Sequence, residues 1–310
     1  MSKNNLTRRD FVRLAGMGGA ASLFAPSSFA LGEAAKKSDI GATFILWGYG
    51  ANALEPSLKD MSQLGFHAFE TFGNVIEQFE KERGGIKELI AKYNVPIVSA
   101  FCGGDVFDAS KRKTEVENLA RWCKLLKDSG GKVIEYCATG KRDKNFNYKD
   151  YKDVMIESMN EYGKVVTDHG LVCALHPHTG TPVETEEEVY YVMENVNTTY
   201  MKFGPDVGQL EKGGGDPVKI CKDFMPLIEH VHLKDYSGGD NGYLGYAPLG
   251  DGKVKIKELL KMFEKRRNKM AGMIMFELDS DKKSKMPFSE YEAAKRSHDY
   301  LQKLGYKFKA

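Results

Sequence analysis

Two short segments hold four of the chain's seven histidines, each pair separated by one residue. The first reads Leu175-His176-Pro177-His178-Thr179-Gly180 and the second Glu229-His230-Val231-His232-Leu233-Lys234-Asp235. Alternate residues of an extended chain share a face, so each pair can point both imidazoles the same way. Two further segments carry carboxylates, Gly204-Pro205-Asp206-Val207-Gly208-Gln209 and Met275-Phe276-Glu277-Leu278-Asp279. Together His176, Asp206, His232 and Glu277 supply imidazole nitrogens and carboxylate oxygens, a donor mix that suits one divalent cation such as Mn, Co, Fe or Zn and, less well, Mg. A cation bound to a ketone and its neighbouring hydroxyl acidifies the α C–H by stabilising the developing enolate. One base can then take that proton, and His178, Lys234 and Glu277 are the catalytic candidates. A lone strand histidine is more often a hydrogen-bonded core residue; the weight here rests on four donors at corresponding positions.

The elements that must position these residues follow from an alternating pattern that begins at residue 41. Short β-rich runs at 42–47, 67–72, 96–101, 132–137, 171–176, 200–203, 228–233 and 273–278 alternate with stretches of helical period at 56–64, 75–93, 113–127, 148–169, 186–195, 217–224, 256–267 and 288–304. Each helix must carry the chain back across the sheet, so strict alternation predicts parallel strands. Eight such units over 41–310 predict an α/β fold, a single-domain (β/α)8 TIM barrel. A doubly wound open sheet is the alternative, but no glycine-rich dinucleotide fingerprint follows the first strand. Thr185-Glu186-Glu187-Glu188 has the capping-box pattern, Asp216-Pro217 is a second helix start, and Glu55-Pro56 suggests proline in a first helical turn. Function gathers at the C-terminal ends of barrel strands. His176, Asp206, His232 and Glu277 fall at the ends of predicted strands five to eight, neighbours around one rim.

These same pieces resemble a known family. Residues 228–235 look like the seventh-strand motif of the xylose-isomerase-like TIM barrels, the sugar phosphate isomerase/epimerase superfamily, which includes sugar isomerases, tagatose-type 3-epimerases, inosose dehydratases and endonuclease IV. Asp206-Val207-Gly208-Gln209 with Gly215-Asp216-Pro217 is similar to its sixth-strand signature, Pro248-Leu249-Gly250-Asp251-Gly252 to a later loop, and Glu277 to its eighth-strand glutamate. The resemblance spans about residues 40–305 and implies metal ligation by Asp206, His232 and Glu277. It implies a glutamate where this chain has His176, and a histidine where it has Gln209. Family isomerases and epimerases face two glutamates across the sugar, so losing one points toward elimination, which needs one base and one acid. The expectation is a metal-dependent lyase acting on a keto-sugar or 3-keto-glycoside, closest in style to inosose dehydratases and 3-keto-glycoside lyases, with a sugar isomerase or epimerase using the same metal site as the alternative. Glu70, Glu135 and His230 are the expected substrate-binding residues, and Trp47, Tyr49 and Phe101 the aromatic residues that could stack on a sugar face.

The first 30 residues differ in kind. Thr7-Arg8-Arg9-Asp10-Phe11-Val12, a modest apolar run over 14–24 and a small-residue end at Ala30 resemble a twin-arginine export signal. The expected organisation is a signal peptide at 1–30, a linker at 31–40 and the barrel at 41–310, with a periplasmic mature protein. The apolar run is too short for a stable membrane anchor. A formal charge of +2, with acids and bases interspersed, excludes a polyanion-binding surface and hence nucleic acid. The expected partner is a small-molecule sugar, and homo-oligomer formation stays open. The five cysteines form no Cys-x-x-Cys pair and read as buried small hydrophobes.

Overall fold

Eight parallel strands surround one axis in the computed structural model, which describes residues 37–239, 242–281 and 285–310. They are β1 (Ile40–Thr43), β2 (Phe69–Phe72), β3 (Ile97–Asp105), β4 (Val133–Thr139), β5 (Val172–Leu175), β6 (Met201–Phe203), β7 (Val231–Leu233) and β8 (Ile274–Phe276). The order around the sheet is β6-β5-β4-β3-β2-β1-β8-β7. Parallel bridges Phe203↔Ile228 and Asp206↔His232 join β6 to β7, with Glu229 N–H donating to Phe203 O at 3.0 Å and His232 N–H to Pro205 O at 3.0 Å. The expected single barrel is therefore present.

Period-two alternation sorts side chains between the helical shell and the barrel interior. On β8, Ile274 and Phe276 join the large apolar core, whereas Met275 lies in a separate small cluster with Ala68, Val98 and Met273. Met275 is the register partner of His232, and paired residues on adjacent strands face the same side. The interior thus carries a small apolar plug and, toward the C-terminal ends of the strands, a set of buried polar and charged groups.

Local sequence signals account for most helix boundaries. Thr185 and Glu188 form the expected capping box on the helix Glu186–Asn195, and Asp216 caps the helix that Pro217 begins. Three expectations need correction. The helix predicted over 75–93 is two helices, Gly73–Arg83 and Lys87–Tyr93. Gly84 and Gly85 between them have φ of 72° and 113°, outside helical space and readily reached by glycine. Pro56 lies in the second turn of Ala51–Gln63, not its first, and there gives up one backbone hydrogen bond. Residues 37–40, expected in the linker, belong to the compact unit: Ser38 N–H donates to the Glu264 carboxylate, and β1 starts at Ile40. The short helix Val207–Lys212 and the antiparallel pair Asp235–Tyr236 with Tyr246–Ala247 were not predicted. All five cysteines are buried and free, and no helix among the described residues is long and apolar enough to cross a membrane. The export motif lies outside the described residues.

Candidate active site

Asp206 is fixed by the helix it starts. Its Oδ1 accepts from Gly208 N–H at 2.9 Å and Gln209 N–H at 3.0 Å, satisfying donors that a first helical turn leaves free. Oδ2 is then turned inward, 4.0 Å from His176 Nε2 and 2.8 Å from Lys234 Nζ. Lys234 also reaches Glu277 Oε1 at 2.6 Å and Asp279 Oδ2 at 2.8 Å, with the Tyr246 ring 4.7 Å away. Burial works to lower this ammonium's pKa, but Asp206, Asp279 and Glu277 overcome it and raise the value well above that of an ordinary lysine. For Glu277 the balance reverses. Burial favours the neutral acid, and His232 and Lys234 instead hold it well below the usual carboxylate range.

His232 sits between two carboxylates, its Nδ1 2.8 Å from Glu277 Oε2 and its Nε2 3.0 Å from Glu70 Oε1. Glu70 is itself anchored from below. Met273 N–H donates to His230 Nδ1 at 3.1 Å, so the His230 hydrogen is on Nε2, which donates to Glu70 Oε2 at 3.2 Å. The Ser99 hydroxyl donates to the same oxygen. Burial works to raise the Glu70 carboxyl, and His232 and His230 bring it down to about 2. Glu135 is pushed well above the usual range, by burial first and then by neighbouring carboxylates, and His176 is pushed well below its usual value by burial and His232. The two meet with Glu135 Oε1 3.3 Å from His176 Nδ1. Gly204 leaves room for that carboxyl: a Cβ there would come within 2.4 Å of both its oxygens.

The donor set fits a divalent cation. Ligand-capable atoms of Asp206, His232 and Glu277 lie within 4.8 Å of one another, near the spacing of donors about 2.0–2.3 Å from one ion. Asp206 Oδ2, His176 Nε2 and His232 Nδ1 are buried without an aligned hydrogen-bond partner. A ring-nitrogen lone pair and a carboxylate oxygen 2.8 Å apart require a proton or a metal ion between them. His176 approaches this group through Asp206, and its ring centroid is 4.8 Å from that of His232; its own grouping is with Glu135 and His232.

Above the cluster is a cavity of about 290 Å³ with Glu70, His176 and Glu277 at its charged end and His178 and Thr181 at one side. His178 Nδ1 lies 2.7 Å from Thr179 O; a carbonyl only accepts, so Nδ1 carries a hydrogen, and in the neutral ring the lone pair is on Nε2. The turn that holds His178 is tied down by His178 N–H to Val183 O at 3.0 Å and by the Thr181 hydroxyl to His178 O at 2.7 Å. Arg142 donates to Thr181 O at 3.1 Å, and Gln209 Oε1 accepts from Thr179 N–H at 3.1 Å.

The structure gathers the predicted residues but sorts them by depth. His230 was expected to bind substrate; it lies under Glu70 and does not line the cavity. Two residues along a strand is about 6.6 Å, so His230 is one layer below His232 although both face inward. Glu135 is likewise buried behind His176, and Lys234 is enclosed by carboxylates; neither lines the cavity. Glu70 does line it, with both oxygens already engaged. Trp47 turns away to donate to Asp60 at 2.8 Å, whereas Tyr49 and Phe101 reach the cavity wall. Asp279 had been given no role. Its signal was available, since it stands two residues beyond Glu277 and so on the same face. Arg142, Thr43, Thr71 and Phe72 carried no local signal.

Fold and site together define a (β/α)8 barrel with a metal-competent centre at its strand ends. Residues 58–304 match the xylose isomerase-like TIM barrel family, and the chain belongs to that family. Inosose dehydratase of Mesomycoplasma hyopneumoniae is 25% identical over 301 residues, covering 87% of this chain and 97% of that protein. Among solved structures, the 3-keto-D-glucoside 4-epimerase YcjR from E. coli aligns with a TM-score of 0.63 at 18% identity, covering 87% of this chain and 99% of that one. The IOLI protein, solved with a zinc atom bound, aligns with a TM-score of 0.67 at 13% identity, covering 86% and 98%.

Proposed function

We propose that this protein is a metal-dependent carbon–oxygen lyase that converts a keto-sugar or 3-keto-glycoside by α-proton abstraction and β-elimination. It is an enzyme of the carbohydrate lyase or isomerase type, in keeping with the dehydratase relatives and the keto-glucoside epimerase among its structural neighbours. The observation that carries the choice of elimination is that, among the described residues lining the cavity, His178 is the one base not engaged by a charged partner. With Nδ1–H given to Thr179 O, His178 Nε2 is the nitrogen that can act as base, while Glu70 is engaged by His230, His232 and Ser99. Glu135 is buried behind His176 and does not line the cavity, and Glu277 is held by Lys234 and His232. Epimerisation needs a proton returned from the opposite face; elimination does not.

His176, Asp206, His232 and Glu277 would hold the cation, and imidazole donors favour Mn, Co, Fe or Zn over Mg. Bound there, a divalent ion supplies Lewis-acid polarisation of a carbonyl oxygen. His178 Nε2 takes the α-proton, the C–H electrons form the new C=C bond, and the β C–O bond breaks. The His178 imidazolium gives its proton to the departing oxygen and returns to neutral. The products are an enone and water, or an alcohol when the leaving group is an aglycone. The twin-arginine-like motif at residues 7–12 supports a periplasmic setting for this reaction, where a neutral sugar is the fitting substrate class. The test is to incubate the metal-loaded protein with a 3-keto-glucoside in heavy water. Aglycone release supports the lyase; deuterium uptake without release would make it an epimerase or isomerase.

A further inference from the structure

The cavity has two chemically different ends. Its charged end is Glu70, His176 and Glu277. The wall built by β1 to β3 and the loop after β1 is aromatic. Phe44 packs edge-on to Phe72 with centroids 5.1 Å apart, Phe72 meets Phe101 at 5.6 Å, and Phe101 stands edge-on to His176 at 5.2 Å. Tyr49 stacks over Phe72 at 6.4 Å and is 48% exposed at the mouth. Its hydroxyl is already spent on Ser280 O at 3.0 Å, which fixes the ring. Among the described residues, the polar side chains on this side of the cavity are Thr43 and Thr71, with Thr139, Thr181 and His178 coming from β4 and the turn after β5. Thr43 and Thr71 line the cavity with buried hydroxyls that have no partner.

A free cyclic polyol ketone carries a hydroxyl on nearly every carbon. Against this wall most of them would lose water and find aromatic rings in return. A flat apolar group would instead bury its face on rigid rings. We infer, building on the lyase reading above, that the substrate is a keto-sugar bearing an apolar, ring-shaped substituent rather than a free polyol ketone. The sugar ring faces His176 and Glu277, and the substituent lies against Tyr49 and Phe72.

Glucosides that carry no ketone cannot react, so their binding tests the wall separately from the chemistry. Titration calorimetry of the metal-loaded full chain with phenyl β-glucoside and methyl β-glucoside reads the preference directly. Phenyl glucoside is expected to bind about tenfold tighter or better. In Tyr49→Ala the phenyl-to-methyl ratio should fall to within about twofold, and in Tyr49→Phe it should persist, because the ring and not the hydroxyl makes the contact. Equal affinities, no measurable binding of either, or a preference that survives Tyr49→Ala would overturn the inference. Aryl preference together with failure to eliminate any 3-keto-glucoside would overturn the lyase assignment and leave this subsite standing.

Discussion

Lys234→Met removes the ammonium at the centre of the buried cluster while keeping a side chain of similar length. Asp206, Glu277 and Asp279 then lose contacts of 2.8, 2.6 and 2.8 Å to a single cation and face one another in a region sealed from water. Removing one partner of a buried pair costs about 3–5 kcal/mol, because the remaining charge is left uncompensated. For a domain of this size that corresponds to a melting temperature lower by roughly 6–15 °C. The assay is calorimetric or urea unfolding of metal-free protein at pH 7 and pH 5, repeated with a divalent cation. The pH dependence has a definite sign. In the wild type Lys234 is raised, so its contribution is complete below the lysine range and does not change between pH 7 and 5. Glu277 is depressed, so its contribution is also retained there and is lost only as pH falls below the ordinary carboxylate value. In the variant the stranded carboxylates are raised, the folded state binds more protons than the unfolded state, and stability grows as pH falls. The gap should therefore narrow from pH 7 to pH 5, and narrow again when a cation binds Asp206 and Glu277. A variant within about 1 kcal/mol of wild type at pH 7 without metal, below the range for a broken buried pair, would refute the assignment of Lys234 as the fixed cation of the site.

Three other outcomes are expected. His178→Ala should lower turnover by about 10²–10⁴-fold with metal content unchanged; near-normal turnover would move the base elsewhere. Glu70→Gln should weaken metal affinity by about 10–100-fold in chelator competition, since Glu70 orients His232 from behind, and unchanged affinity would show that this contact does not tune the ligand. Changing Arg8 and Arg9 together to Lys should leave the protein in the cytoplasm on fractionation; normal export of the double variant would rule out the twin-arginine route.

Much of this protein is fixed by local patterns. Alternating β-rich and helical runs demand a parallel sheet, and eight such units point to a barrel, because each run is set by backbone period and by which face must be buried. Thr185 with Glu188, and Asp216 before Pro217, specify helix starts within four residues of chain. His176 and His178, or His230 and His232, could be assigned to shared faces by the same counting. Counting gives a side chain's face but not its height inside the barrel, which depends on how strands tilt and stagger when the sheet closes. That is why His230 ended beneath Glu70 and not against substrate, and why Glu135 ended behind His176. It is also why Asp279, 45 residues from Lys234, completes its carboxylate cage. Trp47 and Tyr49 show the same division. Both are aromatic residues near the end of β1, yet one turns back to Asp60 and the other stands at the mouth. Their types were plain in the chain; their partners came from elements that only barrel closure brings together.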